Sequence, residues 1–222
     1  MGYKTFVSMN IAVIGTGLTV ETYASRYALA GHEVYMAWKD GDKTGVSAGL
    51  QVFDNIHFCS IEEAAEVADL IVIASSPKDV REVSYWMGDV RRKVIIDATA
   101  SIHTTSEEQV KTVCAIKAIT GSQHIVKVFS TRGYEQLLKP FFQDDNVRLV
   151  LVGSSKKAKE VAKIITRDLG VDLFFDLGGD EHIPLFNAMT SAWREVSAAR
   201  VPAIVLPAVS SGKIIIMNDV QA

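Results

Sequence analysis

Short apolar segments alternate with polar and amphipathic segments along most of the chain. The first apolar segment, NIAVI at residues 10–14, is rich in β-branched residues and stops at a glycine. A run of this kind is typical of a buried parallel strand. The same pattern predicts strands at residues 32–38, 69–74, 93–97, 124–129, 147–152 and 171–175. The segments between them predict helices at residues 20–30, 61–67, 78–86, 106–117, 155–169 and 181–200.

Strands and helices therefore alternate in the predicted order of elements. This order predicts an α/β fold in which a doubly wound parallel sheet carries helices on both faces, joined by right-handed crossovers. In such sheets, ligands bind beyond the carboxyl ends of the strands. Residues 41–49, which are polar and rich in glycine, and His57 are assigned to loops. Ser60 is predicted to cap a helix, because Glu63 lies at the spacing of a capping box.

The composition narrows the possible partners. With 222 residues, 48% of them hydrophobic, and a formal net charge of −3, the chain is predicted to be globular rather than disordered. It has no basic excess, so we expect no nucleic-acid partner. The most apolar stretch, residues 201–209, is too short to span a bilayer and contains two prolines. We therefore expect no membrane partner either.

Cysteine and histidine usage bears on the cellular compartment and on metal binding. Cys59 and Cys114 are far apart in the sequence and form neither a disulfide framework nor a metal knuckle, which favours a cytoplasmic location. The N-terminal residues lack the apolar core of a signal peptide. The histidines do not cluster, so no metal site is predicted.

The turn after the first strand, GTGLTV at residues 15–20, has most of the glycine fingerprint of a dinucleotide site. Gly15 permits the tight turn, Gly17 lets a pyrophosphate approach the backbone, and the helix that follows offers its N-terminus to phosphate. Val20 stands where the fingerprint has Gly or Ala, so the helix must stand off the strand or pack differently. The predicted cofactor-binding residues here are Gly15, Thr16, Gly17, Leu18 and Thr19. The alternative is a tight strand-to-helix turn without a ligand.

The end of the second strand bears on which dinucleotide binds. An NAD site places a carboxylate there to accept from the ribose 2′-hydroxyl, but this chain has Trp38 at that position, followed by Lys39. Lys39 can pair with a 2′-phosphate and Trp38 can cover the adenine, so the sequence favours NADP. Asp40 lies only one residue further on and keeps NAD open. In the alternative interpretation, Lys39 is a solvated surface cation.

Two further strand ends carry small residues that suit the wall of a cleft. The first group, predicted to pass over the nicotinamide-proximal half of the cofactor, is Ser75, Ser76 and Pro77. The second group is Ala98, Thr99 and Ala100. The first group also fits an ordinary Ser-Pro helix start. Asp97 is interpreted as a turn-former or helix cap rather than a catalytic acid.

The end of the strand at residues 124–129 is the most polar and is predicted to contact substrate. Arg132 can bind an anion there, and Tyr134 can donate a proton or stack on a ring. The predicted substrate-contacting residues are Phe129, Ser130, Thr131 and Arg132. The alternative is a surface loop. No residue is predicted to be catalytic.

Several of these segments together resemble a known family. They are IAVIGTG at residues 11–17, AGHEV at 30–34, IIDAT at 95–99 and VKVF at 126–129. They are similar to the F420-dependent NADP reductases and to the reductase domain of the STEAP metalloreductases. The resemblance extends over about residues 9–195, and its first third is shared with pyrroline-carboxylate-type reductases. It implies a compact Rossmann domain with a short helical C-terminal extension, often dimeric, which passes hydride between NADP(H) and a flavin or deazaflavin.

Carried over by position, the resemblance implies roles for individual residues. Thr16 and the Leu18-Thr19 turn would face the pyrophosphate, and Trp38-Lys39 replaces a Ser-Arg pair that holds the 2′-phosphate. Residues 98–100 would border the nicotinamide. The chain departs from the family at Val20, at Ala100-Ser101 in place of Asn-Pro, and at residues 129–131, where Phe-Ser-Thr replaces Phe-Asn-Thr.

The expected function is thus an NADP(H)-dependent oxidoreductase with a flavin or F420-like acceptor as second substrate. The expected domains are a dinucleotide-binding Rossmann domain at residues 1–180 and a helical extension at 181–222. Residues 201–217 are strongly apolar and are expected to pack on the domain or across a homodimer interface. Two alternatives stay open: a non-catalytic dinucleotide-binding or redox-sensing module, and a small-metabolite dehydrogenase.

Overall fold

The computed structural model describes residues 8–38, 48–99, 112–130 and 148–198. Its strands are β1 (Asn10–Ile14), β2 (Glu33–Ala37), β3 (Ile56–Cys59), β4 (Leu70–Ile73), β5 (Val94–Asp97), β6 (Ile125–Ser130), β7 (Arg148–Val152) and β8 (Leu173–Asp176). Its α-helices are α1 (Leu18–Leu29), α2 (Ile61–Val67), α3 (Val80–Trp86), α4 (Thr112–Thr120), α5 (Lys156–Ile165) and α6 (Ile183–Ala198). Short 3₁₀ helices occupy Ala48–Leu50, Thr166–Leu169 and Asp180–His182.

The strands form one sheet in the order β3-β2-β1-β4-β5-β6-β7-β8. The first six strands are parallel, and the chain changes direction across the sheet between β1 and β4. This arrangement confirms the predicted doubly wound Rossmann fold and creates the switch point at which such sheets bind ligands.

Two features of the sheet differ from the prediction. Strand β7 runs antiparallel to β6, and β8 runs parallel to β7, so the last two strands are reversed. An apolar run has the same composition in either chain direction, so it does not show whether a strand is parallel or antiparallel to its neighbour. The sequence predicts a loop at His57, but this residue lies in strand β3, which pairs with β2 at the edge of the sheet, where short strands with polar residues are common.

Helices cover both faces of the sheet. Ile11 and Val13 of β1 belong to one buried cluster, whereas Ala12 and Ile14 belong to the other, because successive strand residues point to opposite faces. Helices α1 and α5 contribute to the first cluster. Helices α2, α3, α4 and α6 contribute to the second. The core therefore lies on both sides of the sheet.

Helix α2 begins with a capping box. The Ser60 hydroxyl accepts from the Glu63 N–H at 3.3 Å, and the Glu63 carboxylate accepts from the Ser60 N–H at 2.9 Å, which confirms the capping box. Helix α3 begins at Val80, two residues later than predicted. Helix α4 continues to Thr120, beyond its predicted end. The predicted helix at residues 155–169 is divided into α5 and a 3₁₀ turn.

The C-terminal segment is described as far as residue 198. Ile183 and Phe186 of α6 are buried in the second cluster, so α6 packs against the sheet. The division at residue 180 stays a prediction, and residues 201–217 lie outside the described ranges. Among the described residues, no helix combines the length and the apolar character needed to cross a bilayer.

Candidate functional site

The turn after β1 depends on Gly15. Its φ of +138° lies in a region that L residues rarely adopt, and a Cβ added there would lie 2.8 Å from the carbonyl oxygen of Ala74. Its N–H donates to the carbonyl of Ala37 at 3.0 Å. Gly15 therefore joins the ends of β1, β2 and β4 at the switch point, where no side chain fits.

Gly17 serves a different purpose. Its φ and ψ of 89° and −179° lie in a region essentially limited to glycine, but a Cβ added there would meet no atom within 4 Å. Gly17 precedes α1, whose first N–H groups have no partner within the helix. Thr16, Leu18 and Thr19 beside it are exposed. The backbone of this turn is thus open to a ligand, as a pyrophosphate requires.

Val20, the departure from the fingerprint, is completely buried. It belongs to the first core cluster with Ala24 and Tyr27 of the same helix. Helix α1 therefore accommodates the valine within the core, and the exposed turn before it keeps the two glycines that the backbone geometry needs.

A cleft of about 460 Å³ lies beside this turn, at the carboxyl ends of β1, β2 and β4. Its lining residues are Ile14, Gly15, Thr16, Trp38, Ile61, Ser75, Ser76, Asp79, Glu82, Val83 and Trp86. The structure thus brings together five of the predicted cofactor-binding residues: Gly15, Thr16, Trp38, Ser75 and Ser76. The volume is in the range of small-molecule sites.

Helices α2 and α3 supply a wall of the cleft that the sequence reasoning missed. Asp79, Glu82, Val83 and Trp86 line it together with Ile61. The first four residues are spaced by three or four positions, which places them on one side of a helix. This spacing was the available signal, but only the fold shows that this side faces the glycine turn.

Trp38 is positioned by β3. Its ring lies 6.2 Å from that of Phe58, at an interplanar angle of 62°, in an edge-to-face arrangement. The tryptophan therefore presents an aromatic surface to the cleft. Its contact with adenine stays a prediction, and Lys39 lies outside the described residues.

The segment after β4 forms a turn before α3. The carbonyl of Ser76 accepts from the Asp79 N–H at 2.9 Å, and the Ser76 hydroxyl accepts from the Lys78 N–H at 3.4 Å. Ser75 and Ser76 line the cleft, whereas Pro77, Gly17, Leu18 and Thr19 are not among its lining residues.

The end of β5 is held by Asp97. Its Oδ1 accepts from the Thr99 N–H at 3.0 Å, so Asp97 forms the turn that its position at the end of a strand predicted. The Thr99 hydroxyl donates to the same oxygen at 2.5 Å and is buried. Ala98 is half-buried, and its N–H donates to the carbonyl of Ile73 at 2.8 Å. Ala100 lies outside the described residues.

The sequence reasoning also missed Lys127, whose ammonium group lies 2.9 Å from the Asp97 carboxylate. The available signal was a lysine within the apolar strand HIVKVF. Phe129 and Ser130 end the same strand, are half-buried, and pair with Val150 and Leu149 of β7. Thr131, Arg132 and Tyr134 lie outside the described residues.

Cys59, at the end of β3, is half-buried. Burial raises the pKa of the Cys59 thiol to about 11, and the nearby Glu63 carboxylate adds to the effect. The thiol is therefore protonated at neutral pH. Within the described ranges, no three His, Cys, Asp or Glu side chains gather so as to hold a metal ion.

A family described as NADP oxidoreductase, coenzyme F420-dependent, matches residues 10–101, which contain the glycine turn, the cleft and the end of β5. No curated protein sequence matches the chain.

Several solved structures share the fold. A protein from Arthrobacter sp. FB24, described as a candidate F420-dependent NADP-reductase, is 20% identical over 86% of this chain and 95% of its own, with a TM-score of 0.65. A pyrroline-5-carboxylate reductase from Coxiella burnetii is 16% identical over 86% of this chain and 67% of its own, with a TM-score of 0.57.

A pyrroline carboxylate reductase from Plasmodium falciparum, solved with NADP bound, is 14% identical over 86% of this chain and 65% of its own, with a TM-score of 0.55. At such low identities, these likenesses show the fold alone. The family match confirms the class predicted from the sequence: over residues 10–101 the chain resembles the F420-dependent NADP oxidoreductases, which are NAD(P)-dependent oxidoreductases.

Proposed function

We propose that the protein binds NADP(H) along the glycine turn and the adjoining cleft, and that it transfers hydride between the nicotinamide and a flavin or a deazaflavin such as F420. The observation that carries this proposal is the open backbone at Gly17, next to a cleft with aromatic and apolar walls. The description of the matching family supports the choice of acceptor.

In this mechanism the cofactor supplies the hydride, and the protein supplies binding, orientation and exclusion of water. The α1 N-terminus and the Gly17 backbone would hold the pyrophosphate. Trp38 would cover the adenosine, with Ser75 and Ser76 leaving room for the chain of phosphates and sugars. Ala98 and Thr99 after β5, and Ser130 at the end of β6, would border the nicotinamide and the acceptor.

The charges in the cleft bear on the orientation of the cofactor. Asp79 and Glu82 line the side formed by α3. Carboxylates repel a phosphate but accept from ribose hydroxyls and the adenine amine. We therefore propose that Lys39, and not the acidic side of α3, binds a 2′-phosphate, and that NADP(H) binds more tightly than NAD(H).

The binding proposal is tested with Gly17→Ala and a matched control, Gly88→Ala. Both glycines have positive φ, and an added Cβ meets no atom within 4 Å at either position, but Gly88 follows the C-terminus of α3 and is not part of the glycine turn. We expect Gly17→Ala to weaken NADPH binding at least about tenfold in calorimetry, because its Cβ occupies the path of the pyrophosphate. Equal affinities of the two variants would contradict this assignment.

Turnover distinguishes the acceptor. Stopped-flow oxidation of NADPH is to be followed with F420, FMN and FAD, and we expect turnover with at least one of them. The shared fold with pyrroline-5-carboxylate reductases favours a second candidate, reduction of an imine of a small metabolite. Turnover with pyrroline-5-carboxylate alone would select that candidate, and NADPH binding without any turnover would select a non-catalytic module.

We also propose that the protein is a cytoplasmic homodimer. Free thiols at Cys59 and Cys114 suit a reducing compartment. The apolar residues 201–217 would be covered by the domain or by a second copy. Light scattering on a chain truncated after Arg200 tests this: we expect loss of the dimer or of solubility, and a stable soluble monomer would refute the proposal.

A further inference from the structure

A cluster of buried polar side chains lies at the carboxyl ends of β5 and β6. Asp97 and Lys127 form an ion pair whose side chains are 0% and 3% exposed, respectively. Thr99 and Thr112, which are also buried, complete the cluster. We call these four residues the Asp97–Lys127 network. Asp97 and Lys127 lie on the same face of the sheet as Ile95 and Ile125, which belong to the second core cluster, and all four members of the network have little access to water.

The side chains of this network form hydrogen bonds with one another. The Lys127 ammonium donates to the Asp97 carboxylate and to the hydroxyls of Thr99 and Thr112, at 2.9, 3.0 and 2.9 Å. Each hydroxyl in turn donates to a different oxygen of Asp97, at 2.5 Å. Every strong donor of the lysine is thereby used, and neither hydroxyl has a donor left for a ligand.

The network is joined to the cleft by the main chain. Across the ends of the central strands, the residue that follows each strand donates its N–H to the last residue of a neighbouring strand. These bonds run from Gly15 to Ala37 at 3.0 Å, from Ala74 to Ile14 at 2.9 Å, and from Ala98 to Ile73 at 2.8 Å. Asp97 fixes the far end of this row, because its carboxylate holds the N–H of Thr99.

The network also contacts the C-terminal helix. The Lys127 ammonium lies 5.9 Å from the centre of the Phe186 ring in α6, within the range of a cation–π contact. Phe186 is 1% exposed and belongs to the core. The network therefore connects β5, β6, α4 and α6, and its geometry is set by four elements rather than by one loop.

We propose that Asp97 and Lys127 are positioning residues for hydride transfer. Their network holds the Ala98-Thr99 turn, which borders the nicotinamide end of the cofactor if the proposed function is right. We place neither of them in contact with cofactor or acceptor, because their polar atoms are engaged within the network. They act by fixing the main chain against which the nicotinamide lies, and a small misplacement of reacting groups is costly in rate.

The test uses Thr112, which lies in α4 and not among the lining residues of the cleft. Thr112→Val keeps the volume but removes the hydroxyl that bridges Asp97 and Lys127; Thr112→Ser keeps that hydroxyl. Three quantities are measured for both variants: the NADPH dissociation constant, the single-turnover rate of NADPH oxidation by whichever of F420, FMN and FAD the wild-type protein reduces, and the exchange rate of the Thr99 amide proton by NMR.

For Thr112→Val we expect the dissociation constant to stay within about twofold, the hydride-transfer rate to fall about tenfold, and Thr99 amide exchange to accelerate. Thr112→Ser should restore the rate and the slow exchange. A wild-type transfer rate in Thr112→Val, or Thr99 exchange that does not change, would overturn the positioning role. Failure of the proposed function is distinct, because the wild-type protein itself would then not oxidise NADPH, whether or not it binds the nucleotide.

Discussion

The carboxyl ends of β1 and β5 lie on the same side of one sheet, but different kinds of residue form them. At the end of β1 the chain uses glycine, exposes its backbone and leaves the space beside Gly17 empty. At the end of β5 it buries a carboxylate and an ammonium whose hydrogen bonds are made with each other and with two hydroxyls. The first end is suited to receive a ligand, and the second is suited to hold the main chain still.

This difference reflects what each end must exclude. A phosphate approaches closely only where no side chain stands, so the β1 turn excludes Cβ atoms. A buried charge is tolerated only where water is replaced by equivalent partners, so the β5 end excludes unpaired donors. An open glycine backbone and a fully hydrogen-bonded ion pair are therefore two ways in which the fold sets the geometry of a site before a ligand binds.

The largest effect is expected from breaking the ion pair. Lys127→Met leaves the Asp97 carboxylate buried without its counter-ion, and we expect a loss of about 3–5 kcal/mol in the free energy of unfolding. The double variant Asp97→Leu with Lys127→Met leaves no buried charge and should be more stable than Lys127→Met alone. Urea denaturation of both variants provides the measurement. A loss below about 1 kcal/mol in Lys127→Met would show that water reaches the carboxylate.

The next largest effect is expected on the free energy of unfolding of two variants in the β1 turn, Gly15→Ala and Gly17→Ala. We expect Gly17→Ala to lose about 1–3 kcal/mol, because only backbone strain opposes it. Gly15→Ala should lose more, because its Cβ also lies 2.8 Å from the Ala74 carbonyl oxygen. Unfolding free energies of the two variants, measured without nucleotide, decide the order. If Gly15→Ala were the more stable variant, Gly17 rather than Gly15 would be the structural glycine.

The smallest effect is expected at Asp180. This residue lies near the carboxyl ends of the reversed strands β7 and β8, and so on the side of the sheet opposite to the carboxyl ends of β1 and β5. Burial raises the pKa of Asp180, but hydrogen bonds from the Lys117 ammonium and from Ser154 lower it more, so the pKa ends below its usual value. The Asp180 carboxylate accepts from the Ser154 N–H at 2.8 Å. The stabilisation is therefore present above the pKa of the unfolded chain and is lost as the pH falls through the folded value.

We accordingly expect Asp180→Asn to destabilise the protein by about 1 kcal/mol at neutral pH. The difference from the wild-type protein should shrink below about pH 4. Thermal unfolding of both proteins between pH 7 and pH 3 provides the measurement. A difference that stays constant with pH would mean that the carboxylate charge does not contribute.

Local patterns predicted most of the fold but only part of the site. The capping box at Ser60, the strand before Gly15 and the turn-forming role of Asp97 depend on residues close together in sequence, and the structure agrees with all three. The wall formed by Asp79 and Trp86 was missed, because it depends on which helix packs beside the glycine turn.

The alternation of apolar and polar segments by itself determined the fold class, and the two glycines determined where the main chain stays open. Both depend on neighbours along the chain, through strand propensity and backbone sterics. Only the tertiary structure decided the reversal of β7 and β8, the pairing of β3, and the closure of Lys127 on Asp97. Those outcomes depend on which distant segments meet, because direction and pairing are set by packing and hydrogen bonding across the sheet.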